Sequence, residues 1–179
     1  MKLYRIILVD DEEEVRKSII RKIKWEENGF LVAGDAENGE DALEKIEALE
    51  PDLILTDIRM PYMDGLTLAE RVRQKYPSMK IVIFSGYDDF EYAKTAVKYQ
   101  VMDYILKPIT AKELAQTLTR VKEKLDEERF QKSDMKRIRG AYMSNLPILR
   151  GRFLNSLLMG NVGEQEIQEK LNDYQIKLD

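Results

Sequence analysis

The sequence predicts an α/β fold, an open doubly wound sheet of five parallel strands with a helical extension behind it. From residue 1 to about 125, short aliphatic runs alternate with longer stretches of helical period. The runs are continuously apolar and rich in β-branched residues, as strands buried on both faces are. The 179 residues are 44% hydrophobic and 35% charged, a globular balance with room for one domain and something smaller.

The first strand is expected over 3–9, stopped by Asp10-Asp11. Val15, Ile19, Ile20 and Ile23 then recur three and four apart, the stripe of a crossover helix. Asn28-Gly29 marks a turn before a second strand over 30–33. Asn38-Gly39 reads as another turn, ahead of a helix carrying Ala42, Leu43 and Ile46 that stops before Pro51. A third strand over 53–55 leads to Asp57. Leu66, Leu68, Ala69 and Val72 form the next helical stripe, closed by Pro77. The fourth strand, 81–84, ends in Ser85 and is followed by the stripe of Tyr92, Ala93, Ala96 and Val97. The fifth, 104–106, runs into Lys107-Pro108, and Thr110 stands where it can cap a helix from Ala111 onward.

That fifth helix keeps its period through Leu114, Leu118, Val121 and Leu125, after which Glu128 and Lys132 take the positions the stripe needs. Two heptads suit a helix packed on its own domain better than a coiled coil. From Gly140 the pattern changes to short apolar pieces at 146–149 and 153–159, a break at 160–163, and an amphipathic end with Ile167, Leu171 and Ile176. This tail is helical but too small for a core of its own.

The chain has no cysteine and no histidine. That excludes a disulfide framework, a thiolate zinc site, a cysteine nucleophile and a Ser-His-Asp triad, and leaves chemistry to carboxylates, Lys and hydroxyls. Any bound metal is expected to be hard, like magnesium. The aliphatic run at 6–9 is too short for a signal peptide or a membrane span, so a cytoplasmic location with no membrane partner is expected.

In an open parallel sheet the site lies beyond the carboxyl ends of the strands. Asp10 and Asp11, Asp57, Ser85 and Lys107 each follow a different predicted strand there. If the three acids converge to about 4 Å, each close pair repels by roughly 4 kcal/mol at an effective dielectric near 20. The acids therefore imply a divalent cation such as Mg²⁺. Beside one, a carboxylate can attack a phosphoryl group. Asp57 is the candidate nucleophile, Lys107 a point charge for the phosphoryl oxygens, and Ser85 a hydroxyl donor. Singly, Asp10 and Asp11 read as helix caps, Asp57 as a strand-end acid, Ser85 as a turn residue and Lys107 as a surface charge. The joint pattern decides for the site. Residues 1–125 hold 24 acids and 20 bases, so they carry the whole net charge of −4.

These residues lie in segments that together resemble the receiver domain of two-component response regulators: Ile-Leu-Val-Asp-Asp at 7–11, Leu-Ile-Leu-Thr-Asp-Ile-Arg-Met-Pro-Tyr-Met-Asp-Gly at 53–65, Ile-Phe-Ser-Gly at 83–86 and Tyr-Ile-Leu-Lys-Pro at 104–108. The resemblance covers 1–125 and implies a flavodoxin-like strand order, 2-1-3-4-5. It implies that Asp57 accepts a phosphoryl group from a sensor histidine kinase. Asp11, Asp57 and the backbone carbonyl of Arg59 would hold Mg²⁺, with Asp10 assisting through water. Ser85 and Tyr104 would be the switch pair, remodelling a face of helix four, strand five and helix five through which the family commonly dimerises on phosphorylation. The Lys107-Pro108 bond is usually cis in such proteins. Arg59 and Tyr87 match positions that tune the lifetime of the phosphoryl group, and their bulk predicts slow hydrolysis. Such a domain is no conventional enzyme, but a phosphoacceptor that assists its own Mg²⁺-dependent phosphorylation and dephosphorylation.

Residues 85–93 are similar to one subgroup, whose members continue through a helical linker and a middle region to a C-terminal AraC-type helix-turn-helix domain that binds DNA. Residues 153–160 resemble the start of that middle region. The expected organisation is a receiver at 1–125, a linker helix at 126–139 and the helical start of a middle region at 140–179, as in a fragment whose DNA-binding domain is missing. DNA is then reached only through the missing part, as transcription regulation. The alternative is a stand-alone receiver acting as a phosphorelay carrier or protein-binding switch, which leaves the tail without a use. Residues 129–152 carry seven bases against Asp134, a local charge of +6, but no base-reading motif accompanies them. A haloacid-dehalogenase-like phosphatase would need a second aspartate where Arg59 stands.

Overall fold

The computed structural model describes residues 3–86, 90–160, 162–174 and 176. The chain divides into two compact units, Met1–Asp126 and Glu127–Asp179. In the first, five strands alternate with helices: β1 (Tyr4–Val9), α1 (Glu13–Lys22), β2 (Phe30–Ala36), α2 (Gly39–Leu49), β3 (Leu53–Asp57), α3 (Gly65–Lys75), β4 (Lys80–Ser85), α4 (Phe90–Lys98), β5 (Asp103–Leu106) and the start of α5 (Ala111–Leu158). The sheet is parallel throughout in the order β2-β1-β3-β4-β5. This is the predicted flavodoxin-like architecture.

Alternation along β1 shows why its run is continuously apolar from Ile6 to Val9. Ile6 and Leu8 join one cluster with Ile19, Phe84, Leu114, Leu118 and Val121, under α1 and α5. Ile7 and Val9 join the other with Ala42, Ile46, Leu68 and Val72, under α2 and α3. Each fully buried aliphatic side chain contributes roughly 1.5–3 kcal/mol relative to exposure. A third, smaller cluster of Ile58, Ile83 and Ala96 seats α4.

Burial on both faces holds for β1, β3 and β4 but not for the edges. β2 continues three residues past the expected 33 and is mostly half-buried, with Leu31 45% exposed, because β1 covers only one of its sides. Leu106 of β5 is equally exposed.

Helix starts follow local chemistry. Asn38 is not a turn residue but the N-cap of α2, its side chain accepting from the Glu40 and Asp41 N–H groups. Asp64 caps α3 through the Thr67 N–H at 2.7 Å. Thr110 and Glu113 form a reciprocal capping box on α5, with the Glu113 N–H donating to the Thr110 hydroxyl and the Thr110 N–H to the Glu113 carboxylate. Early Glu13 and Glu14 and late Arg21 and Lys22 complement the α1 dipole.

In the second unit, α5 runs without a break through Gly140 and Pro147 to Leu158, and α6 (Glu164–Asp173) follows. The change of pattern at Gly140 is therefore not a helix end. Leu146 and Phe153 are buried, Phe153 meets Tyr174 edge-on at 5.8 Å, and the Tyr142 hydroxyl donates to the Asp173 carbonyl. Among the described residues, no helix is long and apolar enough to cross a membrane.

Candidate functional site

The carboxyl ends of β1, β3 and β5 converge. Because strands 1 and 3 are neighbours, Asp10 and Asp11 just beyond Val9 come beside Asp57, the last residue of β3. One carboxylate oxygen from each of the three lies within 4.8 Å of the others. Asp10 is fully buried, Asp57 is 8% exposed and Asp11 is open to solvent. Lys107, just past β5, places its ammonium 2.9 Å from Asp10 Oδ2 and 3.0 Å from Asp57 Oδ2. Its backbone N–H donates to the Ser85 carbonyl at 2.7 Å, tying the ends of β4 and β5 together, and its bond to Pro108 is cis.

Backbone contacts fix the acids further. The Ile58 N–H donates to Asp57 Oδ1 at 2.7 Å, so each Asp57 oxygen has a donor. The Gly65 N–H donates to the Ile58 carbonyl at 2.8 Å, and a Cβ at Gly65 would stand 1.9 Å from the Asp57 carbonyl oxygen. Only glycine permits that approach. Asp10 Oδ1 accepts from the Glu12 N–H at 2.8 Å, while the α1 N-cap Glu12 has no side-chain cap bond. Asp10 thus orders the turn that enters α1, whose N-cap position is Glu12.

Burial pushes the Asp57 carboxyl up, the hydrogen bond and charge of Lys107 oppose it, and the net position is above the usual carboxylate range. Burial pulls the Lys107 ammonium down, but the hydrogen bonds and charges of Asp10 and Asp57 outweigh it and raise it overall. Three carboxylates facing one ammonium leave two negative charges uncompensated at full ionisation. The donor set is all oxygen, and solvent reaches it beside Asp11. Such a site fits a hard divalent cation.

Against known proteins, residues 6–119 match the family described as response regulator receiver domain. The chain belongs to that family. A Bacillus subtilis (strain 168) protein described as an uncharacterized transcriptional regulatory protein, YesN, is 40% identical over 119 residues, 66% of this chain and 32% of its own length. The Staphylococcus aureus transcriptional regulatory protein HptR is 33% identical over 129 residues, 72% of this chain and 50% of that protein. The chain thus spans between about a third and a half of these curated relatives. Among solved structures, the receiver domain of AraT, a response regulator from Geobacillus stearothermophilus, superposes with a TM-score of 0.67 at 39% identity, over 71% of this chain and 98% of that one. A two-component transcriptional regulator AraC from Clostridium phytofermentans ISDg gives 0.66 at 33% identity, over 70% and 98%. This receiver is thus that of a two-component response regulator, and the curated relatives named here are described as transcriptional regulatory proteins.

The remaining predicted residues that the structure describes are Ser85, Tyr104 and Arg59. Ser85 is fully buried at the end of β4, one position past the register of Asp57 with Phe84. Tyr104 pairs with Ile83 across β4 and β5 and is half-buried against the α4 cluster. The Arg59 side chain extends to α4, where it donates to the Tyr92 hydroxyl at 3.3 Å and stands 5.9 Å from that ring's centroid. Tyr87, and with it part of the 85–93 subgroup segment, lies outside the described residues. Sequence reasoning missed the Ile58 N–H and the role of Gly65, although Gly65 closes the quoted 53–65 segment.

Proposed function

We propose that Asp57 is the phosphoacceptor of this receiver, taking a phosphoryl group from a sensor histidine kinase. The observation that carries this is the convergence of Asp10, Asp11, Asp57 and Lys107 at one end of the sheet. Asp10, Asp11 and Asp57, with the Arg59 carbonyl, would hold Mg²⁺. When bound, the ion offsets charge that would otherwise repel the anionic donor. An Asp57 oxygen attacks phosphorus, the O–P bond forms as the bond to the donor imidazole nitrogen breaks, and that nitrogen takes up a proton. Lys107 is close enough to shift from Asp57 Oδ2 to the incoming oxygens. The Ser85 hydroxyl then donates to the phosphoryl group, and Tyr104 repacks inward against the small α4 cluster. In the same way the domain assists its own phosphorylation and hydrolysis, with Arg59 and Tyr87 slowing the latter.

Output is proposed to run through homodimerisation on the face of α4, β5 and α5, where Val97 is 75% and Leu106 45% exposed. DNA would be contacted by an AraC-type helix-turn-helix domain of the whole protein. The AraT and AraC-named structures and the regulator relatives support that output. Within the chain, 1–125 would be the receiver, 126–139 the linker and 140–179 the start of a middle region.

The test is intact mass after incubation with acetyl phosphate and Mg²⁺. Wild type gains one phosphoryl group and Asp57→Asn gains none. Equal labelling of the two, or no labelling of wild type where a control receiver is labelled, overturns the assignment.

A further inference from the structure

A second layer lies behind the acidic pocket. Arg16, one turn into α1, has a side chain only 11% exposed. Its Nη1 donates to the backbone carbonyl of Asp10 at 2.5 Å, and its Nε to Asp35 Oδ2 at 2.6 Å. Asp35 lies near the end of β2 and is itself held, its carbonyl accepting from the Lys45 ammonium, which also pairs with Asp41. The Asp10 N–H donates to the Ala36 carbonyl of the same strand. Both sides of the Asp10 backbone are therefore anchored to β2, one directly and one through the Arg16 fork.

We propose that Arg16 is a positioning residue for the cation site, setting the peptide plane between Asp10 and Asp11 so that both carboxylates face Asp57. This rests on the reading that those acids hold a divalent cation. The arrangement suits orientation rather than charge. Asp35 neutralises the guanidinium, and the rigid planar fork fixes the directions in which it holds a carbonyl and a carboxylate, which a freely rotating ammonium does not. Outer-shell partners that orient ligands in this manner typically govern metal affinity by 10–100-fold.

Charge and geometry predict opposite signs. Removing a positive group beside three acids tightens cation binding by Coulomb's law, whereas loosening the Asp10 turn weakens it. The experiment is Mn²⁺ binding to the full chain, read from the free-ion electron paramagnetic resonance signal, with acetyl phosphate labelling against Mg²⁺ concentration beside it. For Arg16→Gln, the Mn²⁺ dissociation constant and the half-saturating Mg²⁺ rise about tenfold, and labelling at saturating Mg²⁺ stays near wild type. Unchanged or tighter Mn²⁺ binding overturns the proposal. If Arg16→Gln does not fold, Arg16→Lys serves, since it keeps the charge and loses the fork. It must weaken Mn²⁺ binding severalfold, and wild-type affinity in it also overturns the proposal. Failure of the phosphoacceptor reading appears separately, as labelling of Asp57→Asn while wild type still binds Mn²⁺. A wild type that binds no Mn²⁺ removes the cation reading and this proposal with it.

Discussion

The Lys107 ammonium stands 3.0 Å from Asp57 Oδ2, joining residues fifty apart in sequence across the end of the sheet. The same nitrogen serves buried Asp10. Lys107→Met therefore strands two acids without their shared cation. Removing one partner of a buried pair costs about 3–5 kcal/mol, and partial solvent access to Lys107 puts the expected loss at or below the lower end. Urea unfolding in chelator should show it, with Lys107→Arg recovering part and Mg²⁺ recovering more. A midpoint equal to wild type would mean the ammonium is not a structural counter-charge.

Asp57 supplies a pH prediction. Its carboxyl lies above the ordinary 3.8 in the folded chain, chiefly through burial, so the folded state holds the proton more firmly than the unfolded state. The stability it contributes is full below 3.8 and is lost as pH rises through the raised folded value. Without metal at neutral pH, Asp57→Asn should melt higher than wild type, by about 2–4 °C for each kcal/mol in a chain of this size. The gap should close as pH falls below the unfolded value. Mg²⁺ should reverse the order, since a ligand at 100 times its dissociation constant adds about 2.7 kcal/mol to the state that binds it. A lower melting temperature for Asp57→Asn in chelator contradicts this.

Two glycines are predicted to respond in opposite directions. A Cβ on Gly65 meets the Asp57 carbonyl oxygen at 1.9 Å, and backbone on both sides prevents easy relief. Gly65→Ala should cost about 1–3 kcal/mol or more and slow labelling by displacing Asp57. Gly140 is in mid-helix, with nothing near its added Cβ. Gly140→Ala should increase the stability of that helix by about 1 kcal/mol. Thermal melts of both variants check the pair.

Much of this was legible in the sequence, for reasons that differ by element. The centres of β1, β3 and β4, at 6–9, 53–55 and 81–84, are continuously apolar because helices cover both of their faces, and their ends deliver Asp10, Asp11, Asp57 and Ser85 where a parallel sheet must. The end of β2 was hidden because an edge strand tolerates Gly34 and Asp35. Asn38-Gly39 signals a turn and an N-cap equally well. The pattern changes at Gly140, yet a glycine and a proline cost a helix only about 1 and 3 kcal/mol, and α5 continues through both Gly140 and Pro147. At the site, the acids and Lys107 are visible as residue types. The Ile58 N–H leaves no mark in sequence, and the reach of Arg16 to Asp10 and Asp35 depends on β1, α1 and β2 coming together.

The central claim is that the Asp57 carboxylate becomes an acyl phosphate. Borohydride reduces an acyl phosphate to an alcohol, so trapping after acetyl phosphate and Mg²⁺ converts the acceptor aspartate to homoserine, which peptide mass mapping locates. Homoserine at position 57 alone, absent without phosphodonor, is the predicted result. Homoserine at position 10 or 11 with Asp57 intact would contradict the account.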